Sequence, residues 1–296
     1  MMAAHRAGFV AIVGRPNVGK STLLNALIGA RVAAVSPKPQ TTRTRVVGIK
    51  TVADAQAVFL DTPGIHAARS GLNRRLVETA EQALGEADVV VLVIDAAAGV
   101  GPGDRELATT LATTGRPVLV ALNKRDRVRP PRLLPMMAEL GGVLPGRDLV
   151  PVSARTGEGI DALFASVVAL LPEGERLYPA DEFTAETERS IAAEMIREQL
   201  FRQTDEEVPY GTAVEVEEFR DDKAKGIVFV RAVILVERES QKGIVIGAHG
   251  SRMKEVGTRA RQALESLFGT RVFLELFVKV EPGWTANPRR LKELGL

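Results

Sequence analysis

A lysine and a serine close a glycine-spaced octapeptide near the amino end of the chain, Gly14-Arg15-Pro16-Asn17-Val18-Gly19-Lys20-Ser21. These residue types at this spacing fit the phosphate-cradle pattern G-x-x-x-x-G-K-[ST]. The glycines let the backbone curl, so that its amides and the start of the following helix face negative charge. Lys20 would then reach the β- and γ-phosphates of a nucleoside triphosphate. Ser21 would bind Mg²⁺, and Thr22 extends the same phosphate-facing set.

Three further strings fit the same chemistry. Asp61-Thr62-Pro63-Gly64 follows an apolar run, where an Asp at a strand's carboxyl end can reach Mg²⁺ and the Gly64 amide the γ-phosphate. Alone, that string is an ordinary turn; about 40 residues after a phosphate loop the functional reading is the stronger. Asn123-Lys124-Arg125-Asp126 ends another apolar run. The Asp126 carboxylate can accept two N–H bonds from a guanine edge, a pair adenine cannot supply, while Asn123 and Lys124 would hold base and loop. Ser153-Ala154-Arg155 would support the base through the Ala154 amide. Between the first two motifs lies Pro39-Gln40-Thr41-Thr42-Arg43. A threonine there can close over the γ-phosphate and Mg²⁺ only while both are present; Thr42 is the choice, with Thr41 as the alternative. Lys20, Thr42 and Gly64 are thus the residues expected at the reacting phosphate. Ile65 stands where several related enzymes carry a water-orienting Gln, so catalysis must rest on Mg²⁺, Lys20 and backbone amides, and slow intrinsic turnover is expected.

Such loops need a rigid frame. Phe9–Val13, Ala57–Leu60, Val89–Ile94, Pro117–Leu122 and Leu149–Val152 read as strands without polar alternation, as in a parallel sheet covered on both faces. Helical patterns at Lys20–Ile28, Asn73–Leu84 and Gly159–Leu170 alternate with them, giving a doubly wound α/β domain. Pro, Gly and acidic residues break the pattern around Leu171–Pro179, which sets a boundary near 176 and domains at 1–176 and 177–296. The second part reads αββααβ: a helix at Thr187–Arg202, strands at Thr212–Phe219 and Ile227–Val236, a short apolar stretch Ile244–Ile246, a glycine turn, a helix at Ser251–Phe268 and a strand at Arg271–Val280.

Composition narrows the field. The chain has 296 residues and no cysteine, which excludes disulfides and thiolate chemistry; its three histidines argue against a His-rich metal centre. The longest fully apolar run, Val89–Ile94, is far short of a membrane span, so a cytoplasmic protein is expected. Residues 181–222 carry 4 basic and 14 acidic side chains, whereas 223–296 carry 14 basic and 7 acidic. A basic carboxyl-terminal part suits a polyanionic partner or is simply a solvated charged face.

The strings G-R-P-N-V-G-K-S, P-Q-T-T-R, D-T-P-G, N-K-R-D and S-A-R, together with the second part through Gly283-Trp284, closely resemble the Era family, within the TrmE–Era–EngA-type P-loop GTPases. The resemblance implies a GTP/GDP switch with Mg²⁺, a GTPase domain followed by an α+β type II KH domain, binding near the 3′ end of 16S rRNA, and assistance to 30S subunit assembly. It also implies a monomer, with membrane contact, where it occurs, peripheral and on the cytoplasmic face. Asn17 would help hold a K⁺ beside the phosphates; a loop-capping role is the other reading. Gly247-Ala248-His249-Gly250 matches the G-x-x-G turn of KH modules, and Arg252 and Lys254 could contact phosphate, with Arg259 and Arg261 further along the helix. Family members usually have Gly-Lys-Gly-Gly there, so a cationic contact is lost, and His249 is either a base or phosphate contact or an exposed turn residue. Trp284 reads as packing the tail rather than stacking a base. Two other functions compete: a metabolic P-loop kinase, against which N-K-R-D argues, and an RNA-binding module that uses the nucleotide only structurally, which RNA binding with and without GTP would separate.

Overall fold

Strands β1 (Arg6–Val13) and β4 (Val89–Asp95) alternate their side chains between two cores. Val10, Ile12, Val89, Val91 and Val93 face one cluster, and Ala11, Val13, Val90, Leu92 and Ile94 face the other. A strand buried on both faces must be apolar at every position, which is why these runs show no polar alternation. The computed structural model describes residues 5–36, 46–62, 82–204, 208, 211–294 and 296.

The chain divides into two compact units: of the described residues, 5–33, 46–62 and 82–185 fall in the first, and 34–36 with those from Glu186 onward in the second. The first holds a six-stranded sheet in the order β2-β3-β1-β4-β5-β6, completed by β2 (Val46–Thr51), β3 (Ala55–Asp61), β5 (Val118–Asn123) and β6 (Leu149–Pro151). All pairings are parallel except β2 with β3. Helix α1 (Lys20–Ile28) covers one face with Leu23, Leu24 and Leu27; α4 (Ile160–Leu170) joins it with Leu163, Phe164 and Val167. Helices α2 (Pro102–Ala112) and α3 (Leu133–Val143) cover the other face through Ala108, Leu111, Leu133 and Leu140. The doubly wound α/β expectation is met. Of the pattern read at 73–84, residues 82–84 are helical; the rest lies outside the described residues.

Residues 177–185, assigned by composition to the second part, group with the first unit. The cause is a buried glutamine on β3. Gln56 Oε1 accepts the Leu177 and Tyr178 amides at 2.7 and 2.9 Å, and its Nε2 donates to the Tyr178 carbonyl at 2.9 Å. Farther on, the Ile49 amide donates to the Phe183 carbonyl at 2.8 Å, which occupies part of the free edge of β2.

The second unit follows the expected αββααβ order: α5 (Glu188–Gln203), β7 (Thr212–Asp222), β8 (Ile227–Val236), α6 (Glu239–Ile246), α7 (Ser251–Phe268) and β9 (Arg271–Val280). β7 and β8 are antiparallel and β8 and β9 parallel. Ile191, Met195 and Ile196 of α5 and Val256, Ala260 and Leu264 of α7 bury one face of this sheet. Part of the other face is covered by the tail: Trp284, 1% exposed, and Leu291 pack on Ala213, Val233 and Leu235. Arg290 of α8 (Pro288–Glu293) bridges Glu215 and Glu281, at 2.6 and 2.8 Å, and fixes the tail there. Trp284 therefore packs, as expected.

Candidate functional site

The phosphate loop joins β1 to α1. Gly14, at φ 152°, admits no side chain, because a Cβ would lie 2.4 Å from the Val93 carbonyl oxygen. Lys20, 7% exposed, folds back so that Nζ donates to the carbonyls of Gly14 and Arg15, both at 3.1 Å. Burial lowers its pKa to about 8, against the opposing pull of Asp61. The ammonium is thus folded back onto the carbonyls of its own loop. Val18 is buried below the loop, and helix α1 opens with no acidic residue in its first turn, which leaves its positive end to an anion.

Ser21 Oγ donates to Asp61 Oδ2 at 2.6 Å. A hydroxyl and a carboxylate side by side are hard oxygen donors suited to Mg²⁺, which usually takes few protein ligands and leaves the rest to water and phosphate. Among the described residues no cluster of three His, Cys, Asp or Glu exists to hold a metal by protein groups alone. Thr62, fully buried, ties this corner to β1 through a 2.9 Å bond to the Ile12 carbonyl. Thr41, Thr42, Pro63, Gly64 and Ile65 lie outside the described residues.

The base-binding motifs meet at the ends of β5 and β6. Asp126 Oδ1 accepts from Ser153 Oγ at 2.7 Å, and Oδ2 accepts from Arg155 Nη2 at 2.7 Å. The Ser153 bond, then Arg155, holds its pKa below the usual carboxylate range. Asn123, 2% exposed, serves the loops rather than facing outward: Nδ2 donates to the Val18 carbonyl at 2.9 Å and Oδ1 accepts the Ala154 amide at 3.0 Å. The Ala154 amide, expected to support a base, is therefore satisfied by Asn123, since a buried carboxamide has to find partners for both ends. Lys124 Nζ bridges the Asn17 carbonyl, 2.7 Å, and Asp95 Oδ2, 2.6 Å. Arg125 turns back to Val128 and Glu158.

Two carboxylates outside the motifs complete the arrangement. Asp95 meets Lys124, and Asp104, whose side chain is 1% exposed, takes the Arg15 guanidinium through two contacts of 2.8 and 2.6 Å. Arg15 is thus paired sideways with α2 rather than aimed across the phosphate loop. Composition and motif spacing do not reveal these partners, but the abrupt end of the Val89–Ile94 run at Asp95 is a signal that was present. Pro16 and Thr22 are half-buried beside the loop.

In the second unit, Gly247 (φ 74°), His249 (φ 50°) and Gly250 (φ 77°) form the turn between α6 and α7. A Cβ on Gly247 would come 2.8 Å from that of Arg252. Ala248 and His249 are exposed at its tip. The first turn of α7 has no acidic residue but carries Arg252 and Lys254, a placement that the helix dipole disfavours unless an anion docks there. Arg252 donates to the Ile244 carbonyl, which secures the turn. Lys254 lines a groove of about 500 Å³ between α7 and β9, with Ile246, Met253, Arg261, Leu274 and Leu276. Gly257 also lines it and keeps that wall low. Arg261 is paired with Glu265 at 2.9 Å, and Arg259 with Glu255 at 2.7 Å.

Comparisons with known proteins fall on the same two regions. Residues 9–124 match the 50S ribosome-binding GTPase family, and residues 207–285 match the KH domain family. The chain is similar to the GTPase Era of Geobacter metallireducens, 48% identical over 98% of this chain and 97% of that one. It is also similar to that of Syntrophus aciditrophicus, 46% identical over 98% and 95%. A crystal structure of Era with MgGDPNP and nucleotides 1506–1542 of 16S ribosomal RNA superposes with a TM-score of 0.93, at 43% identity over 98% of this chain and 99% of that one. An Aquifex aeolicus Era variant bound to GDP and AlF4⁻ gives 0.93 at 42% identity, over 98% and 99%.

Proposed function

Since the chain belongs to the Era family of GTPases and hydrolyses GTP to GDP and phosphate, we propose that it couples this hydrolysis to recognition of the 3′ region of 16S rRNA and thereby assists assembly of the 30S subunit. The observation that carries the nucleotide half is Lys20, buried inside its own loop next to the Ser21–Asp61 pair. The loop amides and Lys20 hold the β- and γ-phosphates, and Asp126 reads the guanine edge. Ser21 and Asp61 hold Mg²⁺, with Thr42 closing over the γ-phosphate. Mg²⁺ supplies charge neutralisation between the phosphates. Lys20 places a positive charge where negative charge develops, with no reorganisation at the moment of reaction. With Ile65 unable to orient water, intrinsic turnover is slow.

Asn17 stands at φ 64° and is exposed on the loop. Such a position suits a K⁺ contact beside the phosphates or a cap on the loop itself. Equal turnover in K⁺ and Na⁺ would discard the K⁺ contact.

For the RNA half, the G-x-x-G turn at the mouth of the α7–β9 groove carries the reading: glycines admit a backbone closely, and Lys254 offers charge. The protein works as a monomer in the cytoplasm, any membrane contact being peripheral. Among the described residues no helix is long and apolar enough to cross a membrane. Crosslinking to small-subunit rRNA in both nucleotide states tests the whole proposal. Preferred contacts near the 3′ terminus, stronger with a GTP analogue, are expected; scattered, nucleotide-independent contacts would overturn it.

A further inference from the structure

Asp95 closes β4 directly beside Asn123 on β5. Its two oxygens do different things. Oδ1 accepts the Ala97 and Ala98 amides at 2.9 and 3.2 Å, closing the turn that follows the strand. Oδ2 accepts from Lys124 Nζ at 2.6 Å, and the same ammonium donates to the Asn17 carbonyl at 2.7 Å. One side chain thus joins the end of β4 to N-K-R-D and, through Lys124, to the phosphate loop.

We propose that Asp95 is a positioning residue for nucleotide binding: it fixes Lys124 across the phosphate loop and so pre-forms the face on which the guanosine docks. The inference rests on the nucleotide reading of this site. A lysine stem has several rotatable bonds and loses much freedom when held. Lys124 is held twice, by acceptors on two different elements, so the direction of its stem is already set. The pair is shielded, with side-chain exposures of 24% for Lys124 and 16% for Asp95, which makes it stronger than a pair in open solvent. The backbone of Lys124 is itself left-handed, φ 64°, a conformation disfavoured for a side chain of this kind. Asp95 and the Asn17 carbonyl help hold that conformation. Because Asp95 acts through Lys124 rather than on the phosphates, its contribution is the same for bound substrate and for the transition state. That kind of contribution moves KM and leaves kcat.

Asp95→Asn is the informative variant. Its Oδ1 still accepts the two turn amides, while its Nδ2 turns a donor toward the Lys124 ammonium. Dissociation constants for GDP and GTP should rise about tenfold, the size of one charge-assisted hydrogen bond, with KM rising in step, kcat nearly unchanged and the melting temperature close to wild type. In a Lys124→Met background, Asp95→Asn should change affinity no further. Unchanged affinity, a kcat loss without an affinity loss, or the same loss in both backgrounds would overturn the proposal. If the wild-type protein itself shows no saturable GTP uptake, the nucleotide reading fails rather than this inference.

Discussion

The Arg155 guanidinium covers Asp126 Oδ2 through Nε at 3.1 Å and Nη2 at 2.7 Å, while Ser153 occupies Oδ1. Arg155 is largely exposed, with 70% side-chain exposure, so its hold on Asp126 is weak and easily exchanged. A guanine edge offers two N–H donors to the same carboxylate. Asp126→Asn would present one acceptor and one donor, which matches xanthine, where an oxygen replaces the amino group. Competition binding should show guanosine nucleotides losing at least tenfold and xanthosine nucleotides gaining. Retained guanine preference would remove Asp126 from the base site.

If Lys20 holds the phosphates as proposed, nucleotide affinity should depend on pH. Burial lowers its pKa to about 8, so the ammonium is present below that value and lost above it. Phosphates around it raise the pKa in the complex. Binding above pH 8 must therefore take up a proton, and affinity should be flat near pH 7 and fall through pH 8 to 9.5, approaching tenfold per pH unit. Calorimetry at pH 8.5 in buffers of different ionisation enthalpy should record this uptake. A pH-independent affinity would show that Lys20 stays charged in its loop.

Arg15 and Asp104 are unequal partners. The Asp104 side chain is 1% exposed and the Arg15 side chain 35%. Removing the arginine strands a buried carboxylate, which keeps the Gly101 amide at 2.8 Å as a donor. Removing the carboxylate leaves an arginine that water can reach. Arg15→Ala should therefore destabilise the first unit by about 2–4 kcal/mol, and Asp104→Ala by less. Chemical denaturation of both variants measures the order. The reverse order would mean that the carboxylate mainly caps α2.

The frame of the site was legible in the residues because β1, β4 and β5 are apolar at successive positions, and the β1 and β5 runs end where a motif begins. What escaped were features fixed by partners far away in sequence. β2, Val-Val-Gly-Ile-Lys-Thr, is an edge strand whose mixed pattern resembles a loop until β3 pairs with it. Helix α2 has its inward face defined by little more than Ala108 and Leu111. Asp95 and Asp104 look like any carboxylates at a strand end and a helix start; only the fold brings them to Lys124 and Arg15, 29 and 89 residues away in sequence. Gln56 is polar in a buried strand, and its reason for being there lies more than 120 residues on.

Lys254 and Arg252 separate two roles that the sequence cannot tell apart. Lys254 lines the groove, whereas Arg252 already donates to the Ile244 carbonyl and helps hold the G-x-x-G turn. A cation that neutralises one phosphate of a single strand contributes about 0.7 to the slope of log affinity against log salt. Lys254→Ala should lower that slope by about 0.7 for a single-stranded RNA carrying the 3′-terminal rRNA sequence. Arg252→Ala should instead weaken binding with little change in slope, because it loosens the turn rather than removing a phosphate contact. Titrations at several salt concentrations read both quantities. An unchanged slope for Lys254→Ala would move the RNA backbone out of the α7–β9 groove. A full slope loss for Arg252→Ala would show that its guanidinium leaves the Ile244 carbonyl when RNA binds.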